Sequence, residues 1–177
     1  MELDIIYNPY AGGEKKMTKN LALVEAKLKK LDVVYRLHKS EYPRHAIELT
    51  KKAIEDGAKT VVAMGGDGTL NEVVNGLCNF ENITFGLLPC GTGNDFAGHL
   101  GIPEDVEAAL DIVLQREAKY IDFIQMPNLR AINVVGMGID VEVLKLYSKL
   151  EKKTKIGYTN CLLRTLFTYK CVRFTSE

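Results

Sequence analysis

Several well-known site signatures are missing from this sequence of 177 residues, and each absence argues against a class of function. No Gly-x-x-x-x-Gly-Lys-Ser/Thr segment occurs, which excludes a P-loop nucleotide site. Two pairs of closely spaced glycines lack the third glycine of Gly-x-Gly-x-x-Gly, so a Rossmann dinucleotide site fits poorly. A Gly-x-Ser-x-Gly nucleophile elbow is also absent. The chemistry of the chain must therefore lie in other segments.

Cysteine, histidine and long apolar runs are also scarce. The four cysteines are Cys78, Cys90, Cys161 and Cys171. They have no Cys-x-x-Cys spacing, and the three histidines show no metal spacing, so we expect free thiols and no cysteine-bound metal. No apolar run reaches the length of a transmembrane helix, and the acidic first residues do not resemble a signal peptide. We therefore expect a cytoplasmic protein.

Charge is balanced overall but unevenly divided along the chain. Residues 1–144 carry 15 basic and 21 acidic side chains, a net charge of −6, whereas residues 145–177 carry 8 basic and 2 acidic ones, a net charge of +6. This basic segment also contains apolar residues, which fits either an anionic membrane surface or the solvated face of a packed helix. Elsewhere the basic face and stacking aromatics of nucleic-acid-binding proteins are missing, so we expect no nucleic-acid partner.

The most informative segment is 60–72, Thr-Val-Val-Ala-Met-Gly-Gly-Asp-Gly-Thr-Leu-Asn-Glu. Its short apolar start, stopped by glycine, predicts a buried strand, and a helical apolar pattern follows from Thr69. Ligands of open α/β sheets bind beyond the carboxyl ends of strands, where helix N–H groups favour phosphate. Asp67, at the tip of the turn, has the wrong sign for phosphate and would instead hold Mg²⁺ or a ribose hydroxyl. The alternative is an ordinary turn with Asp67 near the helix N-cap.

A second glycine-rich turn, 89–96, follows the next predicted strand. Each of the two turns carries Gly-Thr and a nearby asparagine with an acid, so together they favour a ligand site over two structural turns. They should lie side by side at one edge of the sheet. Asn8 ends the first strand and is either a ligand contact or a turn former. Ser40 follows the second strand and either caps a helix or faces a ligand.

The alternation of strands and helices predicts an α/β fold with a doubly wound sheet. The predicted strands are 3–7, 33–37, 60–64 and 83–88, and the helices begin near residues 16, 44, 69 and 104. The pattern then changes to a hairpin of strands 120–126 and 129–135. We therefore assign residues 1–125 to an α/β nucleotide-binding domain and residues 126–177 to the beginning of an incomplete, β-rich second domain.

Three motifs resemble, in order and spacing, the catalytic domain of the diacylglycerol kinase family. They are Asn8-Pro9-x-x-Gly12, Gly65-Gly66-Asp67-Gly68-Thr69-x-Asn71-Glu72 and Pro89-x-Gly91-Thr92-x-Asn94-Asp95-Phe96. The family's first domain is similar to those of phosphofructokinases and NAD kinases. The resemblance implies a cytoplasmic lipid kinase, peripheral on the inner membrane face, that transfers the γ-phosphoryl group of ATP to a lipid hydroxyl.

The resemblance also implies roles for particular residues. ATP would lie in an interdomain cleft, in contact with Asn8, Pro9, Gly12, Ser40, Gly66, Asp67, Gly68, Thr69, Asn71, Glu72, Gly91 and Thr92. Mg²⁺ would bridge the phosphates, with Asp67 as its protein partner. Asn94 and Asp95 would lie near the transferred group and, with Asp67, are the candidates for a contribution to catalysis.

One departure from the family is important. The Asp-Gly-Glu motif, whose carboxylate resembles the general base, does not occur, so the catalytic base stays unassigned and we expect nucleotide binding to survive better than turnover. Two alternatives stay open, an NAD kinase-like enzyme and a non-catalytic nucleotide-binding module. The acceptor lipid is also open, as is homo-oligomerisation through the apolar surface that an unfinished second domain would leave.

Overall fold

A computed structural model of the chain describes residues 2–78, 82–115, 117–136, 138–150 and 155–169. Parts of the sequence predictions lie outside these residues, namely Cys171 and, in the basic segment, Lys152, Lys153, Lys170 and Arg173. The chain divides into two compact units, residues 1–133 and residues 134–177. The predicted domain boundary after residue 125 stays a prediction.

Strands and helices alternate in the first unit, as predicted. The strands are β1 (Glu2–Tyr7), β2 (Val34–Lys39), β3 (Thr60–Gly65), β4 (Thr84–Pro89), β5 (Ile124–Gln125) and β6 (Arg130–Ala131). The helices are α1 (Glu14–Lys30), α2 (His45–Glu55), α3 (Asp67–Gly76), α4 (Asp95–His99) and α5 (Val106–Gln115). Helix α4 follows the second glycine-rich turn, and no bounds were predicted for it because five residues are too few to show a helical period.

The first four strands form one parallel sheet in the order β2-β1-β3-β4. The chain moves outward from β1 to β2 on one side and from β3 to β4 on the other. The strand order therefore reverses between β1 and β3, which makes this the topological switch point of the sheet. Ligands of open α/β sheets bind beyond the carboxyl ends of the strands at such a point.

Helices cover both faces of this sheet, which confirms the predicted α/β, doubly wound class. Helices α2 and α3 pack with Ile6 and Ala63 on one face, and α1 and α5 pack with Ile5 and Met64 on the other. Successive side chains of a strand point to opposite faces, so a strand covered on both sides is apolar at nearly every position. This explains the continuous apolar run of β3 and the apolar residues that flank Asp4 in β1.

A buried carboxylate ties the edge strand β2 to β1. Asp4 is fully buried and accepts hydrogen bonds from Nε and Nη2 of Arg36, both at 2.8 Å. Nε2 of His38 lies 2.7 Å from the same carboxylate. The hydrogen bond to Asp4 is the main cause that raises the pKa of Arg36 above its ordinary value. These partners offset the cost of burying a charge within the sheet.

Helices α2 and α3 meet with almost no space between their backbones. A Cβ atom on Gly76 would lie 2.5 Å from Cβ of Thr50 and 2.6 Å from the carbonyl oxygen of Ile47. Thr50 is fully buried and donates its hydroxyl to the carbonyl oxygen of Ala46 at 2.7 Å, so its polar group is satisfied inside α2. A glycine at position 76 is therefore required for this approach.

The hairpin β5–β6 is shorter than predicted and is held by α3. Asn75 accepts the N–H of Arg130 and donates to its carbonyl oxygen, both at 2.8 Å. The Arg130 guanidinium donates to the carbonyl oxygen of Leu77, at the end of α3, at 2.5 Å. The apolar pattern predicted longer strands. Such a pattern does not show how far a neighbouring strand lies alongside to form hydrogen bonds.

The described residues of the second unit form two helices, α6 (Ile139–Ser148) and α7 (Lys155–Thr168). Helix α6 covers most of the segment 141–150, where apolar residues recur at helical spacing, and its Val143 is fully buried. The described part of this unit contains no strand, so the β-rich second domain stays a prediction. Among the helices of the described ranges, none is long and apolar enough to cross a membrane.

Replacing Gly76 by alanine should destabilise the first unit, because the new methyl group would overlap α2. We expect the overlap to lower the free energy of unfolding by about 1–3 kcal/mol. This loss exceeds the ~0.5–1 kcal/mol by which alanine stabilises a helix relative to glycine. Urea unfolding measures this. The control is Gly98→Ala in α4, where nothing lies within 4 Å of the new atom. Equal stability of the two variants would contradict the close packing.

Candidate functional site

Three turns meet at the carboxyl edge of the sheet, beside the switch point. The first turn comprises residues 8–13 after β1, the second turn residues 65–69 after β3, and the third turn residues 89–95 after β4. The Asn8 N–H donates to the carbonyl oxygen of Met64 at 3.3 Å, and the Cys90 N–H donates to that of Gly65 at 2.7 Å. The prediction that the two glycine-rich turns lie side by side is confirmed.

Glycines allow these turns to touch through their backbones. A Cβ atom on Gly91 would lie 2.4 Å from Cα of Gly66, closer than real Cβ atoms come to a neighbour. One on Gly12, which has φ +66°, would lie 2.2 Å from the carbonyl oxygen of Cys90. Three of the four glycines predicted as nucleotide contacts, Gly12, Gly66 and Gly91, therefore also bring the first and second turns against the third.

Asn94 closes the third turn from within. Its side-chain oxygen accepts the Gly91 N–H at 2.8 Å, and its side-chain nitrogen donates to the Gly91 carbonyl oxygen at 3.0 Å. The residue is buried and has φ 57°, a left-handed conformation that asparagine tolerates better than most residues. Asn94 thus holds the shape of the turn.

Two carboxylates flank the third turn. Asp67 accepts the N–H groups of Asp95 and Phe96, each at 3.2 Å, and so caps α4 instead of α3, where the sequence placed its capping role. A Cβ atom on Gly93 would lie 3.2 Å from Oδ2 of Asp67 and 3.6 Å from Oδ1 of Asp95, so both carboxylates border this glycine. Such a pair fits Mg²⁺, which proteins bind through one or two carboxylates together with phosphate oxygens.

The remaining predicted residues differ in what they contact. Asn8 accepts the Tyr10 N–H through Oδ1 at 3.0 Å, which is the turn-forming alternative. Thr69 is buried against Gly65, and buried Ser40 donates its N–H to the carbonyl oxygen of Tyr7 at 2.9 Å. Pro9 is half-buried, and Gly68, Asn71 and Thr92 are exposed. The exposed residues are free to face a ligand, whereas Thr69 supports the second turn.

The Glu72 carboxylate is bonded to another helix. Its Oε1 accepts the Arg44 N–H at 3.0 Å, and its Oε2 accepts the Ala46 N–H at 3.3 Å. Both nitrogens belong to the start of α2. The structure therefore places the carboxylate between two helices.

Lys16 is a residue near the turns that the sequence analysis passed over. Burial raises the pKa of the Cys90 thiol, while a hydrogen bond from Asn20 and the positive charge of Lys16 act in the opposite direction. Lys16 is exposed and lies in the first turn of α1. The sequence feature that could have indicated Lys16 is a basic residue at the start of a helix that follows paired glycines.

The fold and the three convergent turns define an α/β protein with a candidate ligand site at the switch point of its parallel sheet. A sequence profile described as the diacylglycerol kinase catalytic domain matches residues 2–126. The chain belongs to this family.

Relatives support this membership. A diacylglycerol kinase of Bacillus subtilis (strain 168) is 41% identical over 156 residues, which is 86% of this chain and 50% of that protein. One of Staphylococcus aureus (strain MRSA252) is 36% identical over 135 residues, 76% of this chain and 42% of that protein. The chain spans about half the length of these relatives or less.

The fold itself has solved counterparts. A crystal structure of a diacylglycerol kinase from Bacillus anthracis str. Sterne aligns with a TM-score of 0.61 at 24% identity, over 73% of this chain and 48% of that one. At this identity the likeness shows the shared fold alone.

Replacing Asn94 by glycine should destabilise the third turn. The variant keeps the left-handed backbone but loses both side-chain bonds to Gly91, so we expect a loss of about 1–3 kcal/mol in unfolding free energy. The matched control is Arg44→Gly, another left-handed position with φ 71°, where glycine should be neutral or stabilising. Chemical denaturation measures the unfolding free energies of the two variants. A stable Asn94→Gly protein would show that these bonds contribute little.

Proposed function

We propose that this chain binds ATP at the three turns and forms the nucleotide-binding part of a lipid kinase. The kinase transfers the γ-phosphoryl group of ATP to the hydroxyl of a lipid such as diacylglycerol. The observation that carries the proposal is the convergence of three glycine-rich turns at the switch point, in a chain of the diacylglycerol kinase catalytic domain family. The lipid would be met at a membrane surface, by a protein peripheral to it.

Two helix starts support phosphate binding. The first N–H groups of a helix have no acceptor within that helix, so they attract anions. Helix α1 begins at Glu14 after the first turn, and α3 begins at Asp67 within the second. Lys16 adds a positive charge in the first turn of α1. Together these groups can offset the negative charge of a triphosphate.

The carboxylates of Asp67 and Asp95 are the residues we propose to hold Mg²⁺. When bound, the ion would neutralise phosphate charge. The protein contributes by presenting both carboxylates beside Gly93, where no side chain intervenes. Asp67 is fixed by the two N–H groups that it accepts, and each of its oxygens can accept further contacts.

Transfer to a lipid requires a group that takes the hydroxyl proton. The lipid oxygen would bond to the γ-phosphorus while the bond from that phosphorus to the bridging oxygen of ADP breaks, and the proton would pass to a base. The Asp-Gly-Glu sequence that supplies this base in the family does not occur in these 177 residues. For this chain we therefore propose nucleotide binding, and we would measure transfer only with a chain that contains the motif.

Thermal unfolding in the presence of nucleotides tests the proposal. Mg-ATP and Mg-ADP should stabilise this chain, and NAD should not. A ligand at a hundredfold its dissociation constant adds about 2.7 kcal/mol to the stability of the form that binds it. Stabilisation by NAD in addition to the adenosine phosphates would favour the NAD kinase alternative, because such an enzyme binds both its phosphoryl donor and NAD. No effect of any of the three would contradict nucleotide binding by this chain.

Asp67→Asn is the sharper test of the magnesium proposal. Alanine would leave the N–H groups of Asp95 and Phe96 without an acceptor, whereas asparagine keeps one acceptor and removes the charge. Calorimetry should show Mg-ATP affinity reduced about tenfold or more, with a smaller effect when EDTA removes Mg²⁺. Asp56→Asn, at the end of α2, is the control for loss of an acidic charge. Equal losses with and without Mg²⁺ would contradict the assignment.

A further inference from the structure

Glu72 lies in the motif that resembles the nucleotide contacts of the family, yet its carboxylate is already occupied within the protein. Both of its oxygens accept backbone N–H groups of another helix, those of Arg44 at 3.0 Å and Ala46 at 3.3 Å. The side chain is half-buried between α3 and α2. A carboxylate that accepts two N–H groups keeps its orientation unless those bonds break, and these two bonds direct Glu72 to the start of α2.

These two bonds complete the start of α2. Arg44 precedes the helix with φ 71° and makes no side-chain cap. The N–H groups of His45 and Ile47 find carbonyl oxygens close by, those of Tyr42 and Arg44, each at 3.1 Å. The N–H groups of Arg44 and Ala46 donate to the carboxylate of Glu72. The sequence of α2 therefore lacks a cap of its own, and α3 supplies it across the structure.

The capped segment lies at the same edge as the three turns. Residues 40–44 connect β2 to α2, and the Ser40 N–H donates to the carbonyl oxygen of Tyr7 at the end of β1. Glu72 stands five residues after Asp67 in the helix that begins in the second turn. Its carboxylate thus links a helix that starts on the β3 side of the switch point with a segment on the β1 side.

We propose that Glu72 is a positioning residue for the nucleotide site. It fixes segment 40–44 relative to the second turn and so sets the shape of the site, without touching the nucleotide. Gly76, one helical turn further along α3, closes the same pair of helices against Thr50. The inference rests on the proposed nucleotide function, and it replaces the direct contact that the family resemblance implies for this residue.

Hydrogen exchange and calorimetry on the 177-residue chain test this role. The variants are Glu72→Ala, which removes both acceptors, and Glu72→Gln, which keeps one. Without ligand, exchange at Arg44 and Ala46 should become faster, most in the alanine variant. Affinities for Mg-ATP, Mg-ADP and ATP in EDTA should all fall by the same factor, about tenfold for alanine and less for glutamine. A direct ligand of Mg²⁺ or of the γ-phosphate would instead make these factors unequal.

The control is Glu55→Gln, the same chemical change at the exposed far end of α2, which should alter neither readout. Faster exchange with unchanged affinity would overturn the proposal and leave a purely structural cap. Reduced affinity with unchanged exchange would overturn it in favour of direct contact. If wild-type protein binds no adenine nucleotide, the proposed function fails and the inference fails with it. If only the alanine variant does not fold, the glutamine variant decides by the same two readouts.

Discussion

Backbone contact between the second and third turns is the constraint on which the candidate site depends. Gly66 and Gly91 approach so closely that a methyl group on either would collide with the other turn or crowd it. The parallel pairing of β3 with β4 brings the two turns to the same edge, and glycine allows them to touch there. Backbone groups and short polar side chains of the two turns then lie close together. This suits a site that binds phosphate largely through the main chain.

Polar side chains of the family motifs serve first to hold this edge together. Asn94 closes its own turn, Asp67 caps α4, and Glu72 caps α2. Each carboxylate or amide satisfies backbone groups that would otherwise lack partners, which favours a site shaped before any ligand arrives. These motif residues therefore shape the candidate site through contacts within the protein. Exposed residues such as Thr92 and Asp95 are the better candidates for direct contact.

The sheet supports this edge because it is buried on both faces. Helices α2 and α3 cover one face and α1 and α5 the other, so the inner strands β1 and β3 are buried along most of their length. The switch point lies between these two inner strands. Functional groups are thus placed on turns that can vary in chemistry, while the apolar core beneath them fixes where the turns begin.

The sequence by itself determined the alternation of strands and helices and the three turns. The spacing of apolar residues and the backbone freedom of glycine each affect only a few neighbouring residues, so both can be recognised locally. It was least reliable for α4 and for the hairpin, where elements are too short to show a period. Only the tertiary structure decided what Asp67 and Glu72 bond. The N–H groups of Asp95 and Arg44 that they accept are each 28 residues away along the chain. Such pairings depend on strand order and helix packing, which no local pattern encodes.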